Sequence, residues 1–121
     1  MEKHKKPFTA LTIAFINIAA SYADALGIQY VVVGFNREEA ATFPDNSAAY
    51  LAKANAALAY STAVKTKLYC FTLPNNKTEI VRLAKKLKLD LRLTFSCYEK
   101  GPAECGRCES CLRKRRAMAD A

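Results

Sequence analysis

Four cysteines near the C-terminus carry the clearest chemistry in this sequence. They stand in S-C-Y-E-K-G-P-A-E-C-G-R-C-E-S-C, as Cys97, Cys105, Cys108 and Cys111. Seven residues separate the first two, and two separate each later pair. Two overlapping C-x-x-C units with a fourth cysteine nearby supply four soft sulfur donors, the set that closes a tetrahedral zinc site. Gly106 lies inside the first C-x-x-C, where the backbone must curl tightly around an ion. A disulfide pair or reduced core cysteines are the alternatives, but so polar and crowded a run argues against a core. A site closed by four protein ligands has no open position for a substrate. It shapes the C-terminus and says nothing of a reaction.

Other candidate chemistry is sparse. Gly27, Gly34, Gly101 and Gly106 are the only glycines, and no two are spaced to cradle a phosphate. His4 is the only histidine and lies in the N-terminal tail, so no Ser/His or Cys/His nucleophile pair is visible. The sequence offers no self-contained catalytic centre. Lys77 stands at the start of a helix in N-N-K-T-E-I. There, free backbone N–H groups and the positive helix end suit a phosphate or pyrophosphate, although an ordinary solvated lysine is the simpler reading. The stretch from Phe35 to Asn46, F-N-R-E-E-A-A-T-F-P-D-N, reads as a loop just beyond a strand's carboxyl end. Open α/β sheets bind ligands there. Its length exceeds a usual strand-to-helix link and favours a functional loop.

The formal charge is +8, from 19 basic and 11 acidic residues. Much of it sits in two terminal runs, Lys3 to Lys6 and Arg113 to Arg116. Such runs are usually solvated faces, yet they leave open a small zinc-containing nucleic-acid-binding module. Against it, the tail from Leu112 to Ala121 has no aromatics interleaved with its basic residues. No short apolar run with a cleavage site follows Met1 to Lys6, and Ile13 to Ala20 is too short to span a bilayer. A cytoplasmic chain is expected, in which cysteines serve as ligands or free thiols. Cys70, alone in an apolar run, reads as a small core hydrophobe.

The elements that must position these residues follow from patterning. Ile13, Ile16, Ala20 and Ala23 recur a turn apart and predict a helix over Thr12 to Leu26, with Gly27 as its left-handed cap. Gln29 to Gly34 reads as a β-branched strand of the kind buried on both faces of a parallel sheet. Ser47 to Tyr60 is an Ala-rich helix with its own N-cap, and Lys67 to Thr72 a second strand. Asn76 and Glu79 predict a capping box for a helix running through Ile80, Leu83, Ala84 and Leu87. Leu89 to Phe95 suggests a short strand, and Glu109 to Ala119 a last helix. The order is α/β, but two or three strands cannot complete a doubly covered sheet. The chain reads as the C-terminal part of a larger domain. Its organisation is expected as a basic tail over residues 1–10, a partial α/β domain over 11–95, and a zinc-binding loop with a helix over 96–121.

F-S-C-Y-E-K-G-P-A-E-C-G-R-C-E-S-C-L-R-K, from Phe95 to Lys114, closely resembles the zinc-binding tail of the 7-cyano-7-deazaguanine synthases, a family of the PP-loop ATP pyrophosphatase superfamily. F-I-N-I-A-A-S-Y-A-D-A-L-G from Phe15, V-V-V-G-F-N-R-E-E-A-A-T-F-P-D-N-S from Val31, and N-K-T-E-I-V-R-L-A from Asn76 are similar to the corresponding family segments. The resemblance implies a Rossmann-like parallel sheet of the adenine nucleotide α-hydrolase type. It implies a reaction in queuosine and archaeosine precursor synthesis, in which 7-carboxy-7-deazaguanine, ammonia and ATP give the nitrile. It implies one zinc ion on Cys97, Cys105, Cys108 and Cys111, and a homodimer. Phe43 and Asp45 would lie near the deazaguanine, and Lys77 would face the ATP phosphates. The family's S-G-G-x-D-S loop, which grips the ATP pyrophosphate, has no counterpart here, and T-A-L-T-I from Thr9 stands where the family has an arginine–asparagine pair. The resemblance therefore implies a C-terminal portion, inactive alone and completed by an N-terminal half.

Overall fold

A computed structural model describes residues 10–99 and 101–121. His4 and the Lys3 to Lys6 run lie outside the described residues. The first helix, α1 (Leu11–Ala25), buries Ile16, Ala20 and Ala23. Ile13, expected on the same face, is instead about half exposed. Gly27 takes a left-handed φ of 68°, and the Ile28 N–H returns to the Ala23 carbonyl at 2.7 Å, closing the helix as glycine permits.

Strand β1 (Tyr30–Val32) follows and pairs in parallel with β2 (Lys67–Tyr69). Between them the chain is not the continuous loop expected from Phe35 to Asn46. Asn36, almost fully buried, accepts from the Glu39 N–H and starts a single turn, α2 (Arg37–Ala40). A 3-10 turn over Pro44–Asn46 then leads to the Ser47 cap of α3 (Ala48–Ser61). Strand, helix and parallel strand make one βαβ unit, the connection that parallel strands require.

Ile16, Ala20, Phe35, Leu58 and Leu68 form the core, with Val31, Val33, Leu51 and Ala54 against it. α1 lies on β1 and α3 on β2, so both helices cover one face of the sheet. The strand pattern expected to be buried on both faces is buried on one. On the other, Tyr30 and Val32 are 54% and 63% exposed. Cys70 packs beside the core, half-buried, with its Sγ 3.5 Å from the Phe35 carbonyl.

Helix α4 (Lys77–Lys86) starts on the expected capping box: Asn76 accepts from the Glu79 N–H, and the Glu79 carboxylate accepts from the Asn76 N–H. Its buried side chains are Val81 and Ala84, while Leu83 and Leu87 face outward. Ala84 is buried as expected, and Val81 joins it in place of Leu83 and Leu87 on a helix that packs with α5 (Glu109–Asp120). The short strand expected over Leu89 to Phe95 is a 3-10 turn at Leu91–Leu93. Asp90 caps it by accepting from the Arg92 N–H, and Leu93, 85% exposed, has no strand beside it among the described residues. Among the described residues, no helix is long and apolar enough to cross a membrane.

Candidate functional site

The four cysteines converge. The Sγ atoms of Cys97, Cys105, Cys108 and Cys111 all lie within 4.8 Å of one another. Tetrahedral zinc–thiolate bonds of about 2.3 Å place sulfurs about 3.8 Å apart, so the donor set fits such an ion with little adjustment. Turn geometry aims backbone N–H groups at the sulfurs. Glu99 and Cys105 donate to Cys97 at 3.3 Å, Cys108 donates to Cys105 at 3.3 Å, and Cys111 donates to Cys108 at 3.5 Å. Backbone N–H groups of Tyr98 and Cys111 hold the Cys108 thiol down, to about 6. Those of Arg107 and Cys108 lower Cys105. Burial, aided by the neighbouring sulfurs, pushes Cys111 up to about 12. A thiolate-ready sulfur beside a buried, protonated one is a set that a divalent cation would bring wholly to thiolate.

Two side-chain anchors fix this loop to the fold. Glu104 accepts from the Ser96 N–H and from Lys114 Nζ at 3.0 Å, and Lys114 also donates to the Thr94 carbonyl at 2.7 Å. These contacts hold the Glu104 carboxyl below its usual range, the Ser96 N–H first and then Lys114. Gly106 has a φ of 71° and accepts from Arg115 at 3.1 Å. A Cβ there would stand 2.9 Å from the Arg115 guanidinium, the end of a flexible side chain that could swing aside. It is the positive φ that favours glycine. The basic run of the C-terminal helix is largely engaged internally: Arg113 pairs with Glu109, Lys114 with Glu104, and Arg115 with Gly106.

Lys77 lies in a cleft of about 410 Å³ between the turn after β1 and the last helix, lined also by Arg37, Glu38, Arg113 and Arg116. Its Nζ pairs with Glu39 at 3.4 Å, and both side chains are mostly buried. Its backbone N–H donates to Glu38 at 3.4 Å. The α4 start is thus already met by carboxylates from α2, an arrangement the sequence concealed because α2 was not expected.

Phe43 and Asp45 do not line that cleft. Asp45 sits beside the start of α1, where it accepts from Thr12 Oγ1 at 2.5 Å and from Asn46 Nδ2 at 3.3 Å. Phe43 is partly exposed next to it. Tyr50, in the first turn of α3, buries a hydroxyl with no partner among the described residues. Burial and the Asp45 charge raise the Tyr50 pKa. Sequence reading passed over Thr12 and Tyr50, since an aromatic in an Ala-rich helix carries no signal of its own.

The fold and site define an α/β protein with a small parallel sheet and a four-cysteine centre able to hold a metal. The family model described as "Queuosine biosynthesis protein QueC" matches residues 9–121, beginning upstream of Phe15, where the quoted motifs start. The chain belongs to this family. It is 51% identical to the 7-cyano-7-deazaguanine synthase of Bdellovibrio bacteriovorus over 107 residues, which cover 88% of this chain and 46% of that protein. It is 50% identical to the synthase of Pelotomaculum thermopropionicum, covering 88% and 48% respectively. The Methanosarcina mazei synthase is 46% identical, with coverages of 85% and 45%. The chain thus spans about half the length of the curated relatives it matches.

Proposed function

We propose that this chain is the C-terminal, zinc-bearing part of a 7-cyano-7-deazaguanine synthase, and that the complete enzyme converts 7-carboxy-7-deazaguanine, ammonia and ATP to the nitrile. The observation that carries the reading is the family match across nearly the whole chain, together with relatives of that name at about half identity. The complete domain would be Rossmann-like, with the βαβ unit as one end of its sheet, and the completed domains would pair as a homodimer.

Cys97, Cys105, Cys108 and Cys111 would hold one zinc ion, whose role is structural because the protein fills all four positions. Lys77 would bind the ATP phosphates from its cleft. Its pairing with Glu39 supports this reading, since the partner holds the lysine extended at the helix start, where an anion could replace the carboxylate. Asp45 and Phe43 would contact the deazaguanine: a carboxylate accepts paired N–H groups of a base edge, and an aromatic ring stacks on its face. The sequence has no glycine-rich phosphate loop of its own, so the other half would supply the ATP grip.

The test measures pyrophosphate release and nitrile formation, first with the purified chain and then with the unmatched portion of the Bdellovibrio relative added. Neither product is expected from the chain alone, and both from the combination. Turnover by the chain alone would refute the need for the other half. A folded combination without turnover would refute the catalytic reading. A nucleic-acid-binding module is disfavoured by the internal engagement of Arg113, Lys114 and Arg115, and no gel shift is expected at physiological salt.

A further inference from the structure

The four sulfurs reach their meeting point from two unequal pieces of chain. Cys105, Cys108 and Cys111 lie in one seven-residue stretch. Cys108 is the N-cap of α5, and Cys111 is buried in the first turn of that helix. α5 packs on α4 and buries Ala117. These ligands are therefore carried by an element that helix packing already fixes.

Cys97 comes from the other side of the loop, on a segment with little to hold it. Phe95 is 57% exposed and Tyr98 81%, so apolar burial anchors it weakly. Among the described residues no main-chain hydrogen bond joins residues 95–99 to the rest of the chain. Side-chain contacts take that place. Lys114 Nζ donates to the Thr94 carbonyl at 2.7 Å and to the two Glu104 carboxylate oxygens at 3.0 and 3.1 Å. Glu104 accepts from the Ser96 N–H, and the Cys105 N–H donates to Cys97 Sγ at 3.3 Å. Ser96 and Glu104 immediately precede Cys97 and Cys105, so their contact sets those two ligands side by side. Lys114, three residues beyond Cys111, ties both to α5. Both charged side chains of this clamp are mostly buried, which separates it from a water-screened surface pair.

We infer that Cys97 is the ligand the metal centre releases first, and that Lys114 and Glu104 are positioning residues that set how long it stays bound. Losing Cys108 or Cys111 requires the start of a packed helix to unwind. Losing Cys97 requires only that the contacts at Thr94 and Ser96 part. Four protein ligands close the site, but its lifetime is governed by the arm held from Lys114. The inference rests on the proposed metal site and not on turnover.

The metal-loaded full chain is mixed with an excess of chromogenic chelator, and the release rate is read. In parallel, a brief pulse of N-ethylmaleimide labels freed thiols, which mass spectrometry locates. In the parent, Cys97 should be labelled ahead of Cys105, Cys108 and Cys111. Lys114→Met keeps the stem and removes the charge and the donors; Glu104→Gln keeps the shape and removes the charge. Each should speed release at least about tenfold, the low end of what outer partners contribute to metal affinity, with labelling still starting at Cys97. The double variant should be little faster than either alone, because both break one clamp. Lys114→Arg, which retains charge and donors, should restore most of the lifetime. Arg92→Ala, which removes an exposed pair with Asp90, should leave release unchanged. Circular dichroism of the loaded variants checks that they are folded, and Glu104→Gln carries the test where Lys114→Met does not fold. Three results overturn the inference: labelling that starts at one of the other three cysteines, release from folded Glu104→Gln at the parent's rate, or faster release with all four cysteines labelled together, the mark of general unfolding. A chain that takes up no metal overturns the metal site and this inference together, whereas metal held equally well by parent and variants removes this inference and leaves the metal site standing.

Discussion

Removing the Asn55 side chain tests how the β2 edge of the sheet is closed. In Asn55→Ala the Leu68 carbonyl loses a donor at 3.1 Å and the Leu68 N–H loses an acceptor at 2.7 Å. Leu68 is 3% exposed, so bulk water does not reach these groups in the folded chain. Each buried main-chain group left unpaired costs about 1–3 kcal/mol. Entry of a water into the vacated space would recover part of this. The expected loss is therefore about 2–4 kcal/mol in total, a large fraction of the stability of a small domain. The assay is urea unfolding of the metal-loaded chain at fixed protein and metal concentration, followed by helical circular dichroism. The midpoint should fall while the denaturant slope stays constant, since the buried area is nearly unchanged. Ser61→Ala on the same helix is the control. Its exposed hydroxyl bonds only to the Ala57 carbonyl, and it should change stability by less than about 0.5 kcal/mol. An Asn55→Ala variant as stable as that control would refute the idea that a side chain stands in for a strand beside β2.

The remaining predictions concern the metal, the acid limb and the cleft. One zinc per chain should co-purify, and cobalt substitution should give the strong visible bands of a tetrahedral sulfur site. Outer partners alone are worth about 10–100-fold in metal affinity, so Cys111→Ser should lose more than that, read by competition with a chromogenic chelator. Acidification should release the metal, because protons compete for the thiolates; release on raising the pH from 7 to 8 would contradict a thiolate site. Asp24 accepts from the Val64 N–H at 2.9 Å, and its pKa is lowered from 3.8 by the backbone N–H groups of Val64 and Ala63. A carboxylate depressed in the folded state stabilises the fold above its unfolded pKa, and that stabilisation is lost as pH falls through the folded value. Asp24→Asn should therefore lower the urea midpoint at pH 7, and the gap from the parent should close below about pH 4. Equal gaps at both pH values would rule out the carboxylate. In the complemented enzyme, Lys77→Ala should lower kcat/KM for ATP by about tenfold or more, equivalent to about 1.4 kcal/mol, with metal content unchanged.

Much of this architecture was legible from residue types, and the misses share a physical cause. Gly27, Ser47 and the Asn76–Glu79 box act through main-chain groups a few residues away, so local sequence suffices to place them. The cysteines were legible because metal ligation needs spacing as well as residue type, and the sulfurs do meet. Asn55 and Glu39 act on Leu68 and Lys77, which are far away in sequence, so nothing in the residues next to them points to these partners. The inner face of α4 has the same origin: Ala84 is buried as expected, but Leu83 and Leu87, which fit the helical period, stay exposed while Val81 is buried on a helix that packs with α5. The expected strand near Leu91 failed because β propensity needs a neighbour, and Asp90 offers the backbone a turn instead.

The four-cysteine end and the Asp45 end lie on different elements of one small fold. The last helix packs on α4, and the Glu104–Lys114 anchor ties the cysteine loop to it. A metal held there stiffens the side of the molecule that carries Lys77, Arg113 and Arg116. Asp45 and Thr12 stand instead at the start of α1, next to the surface left uncovered. A substrate site spanning both groups could not be set by the metal alone. A metal on the four cysteines would fix one wall, and the position of α1, which holds Thr12 against Asp45, would fix the other.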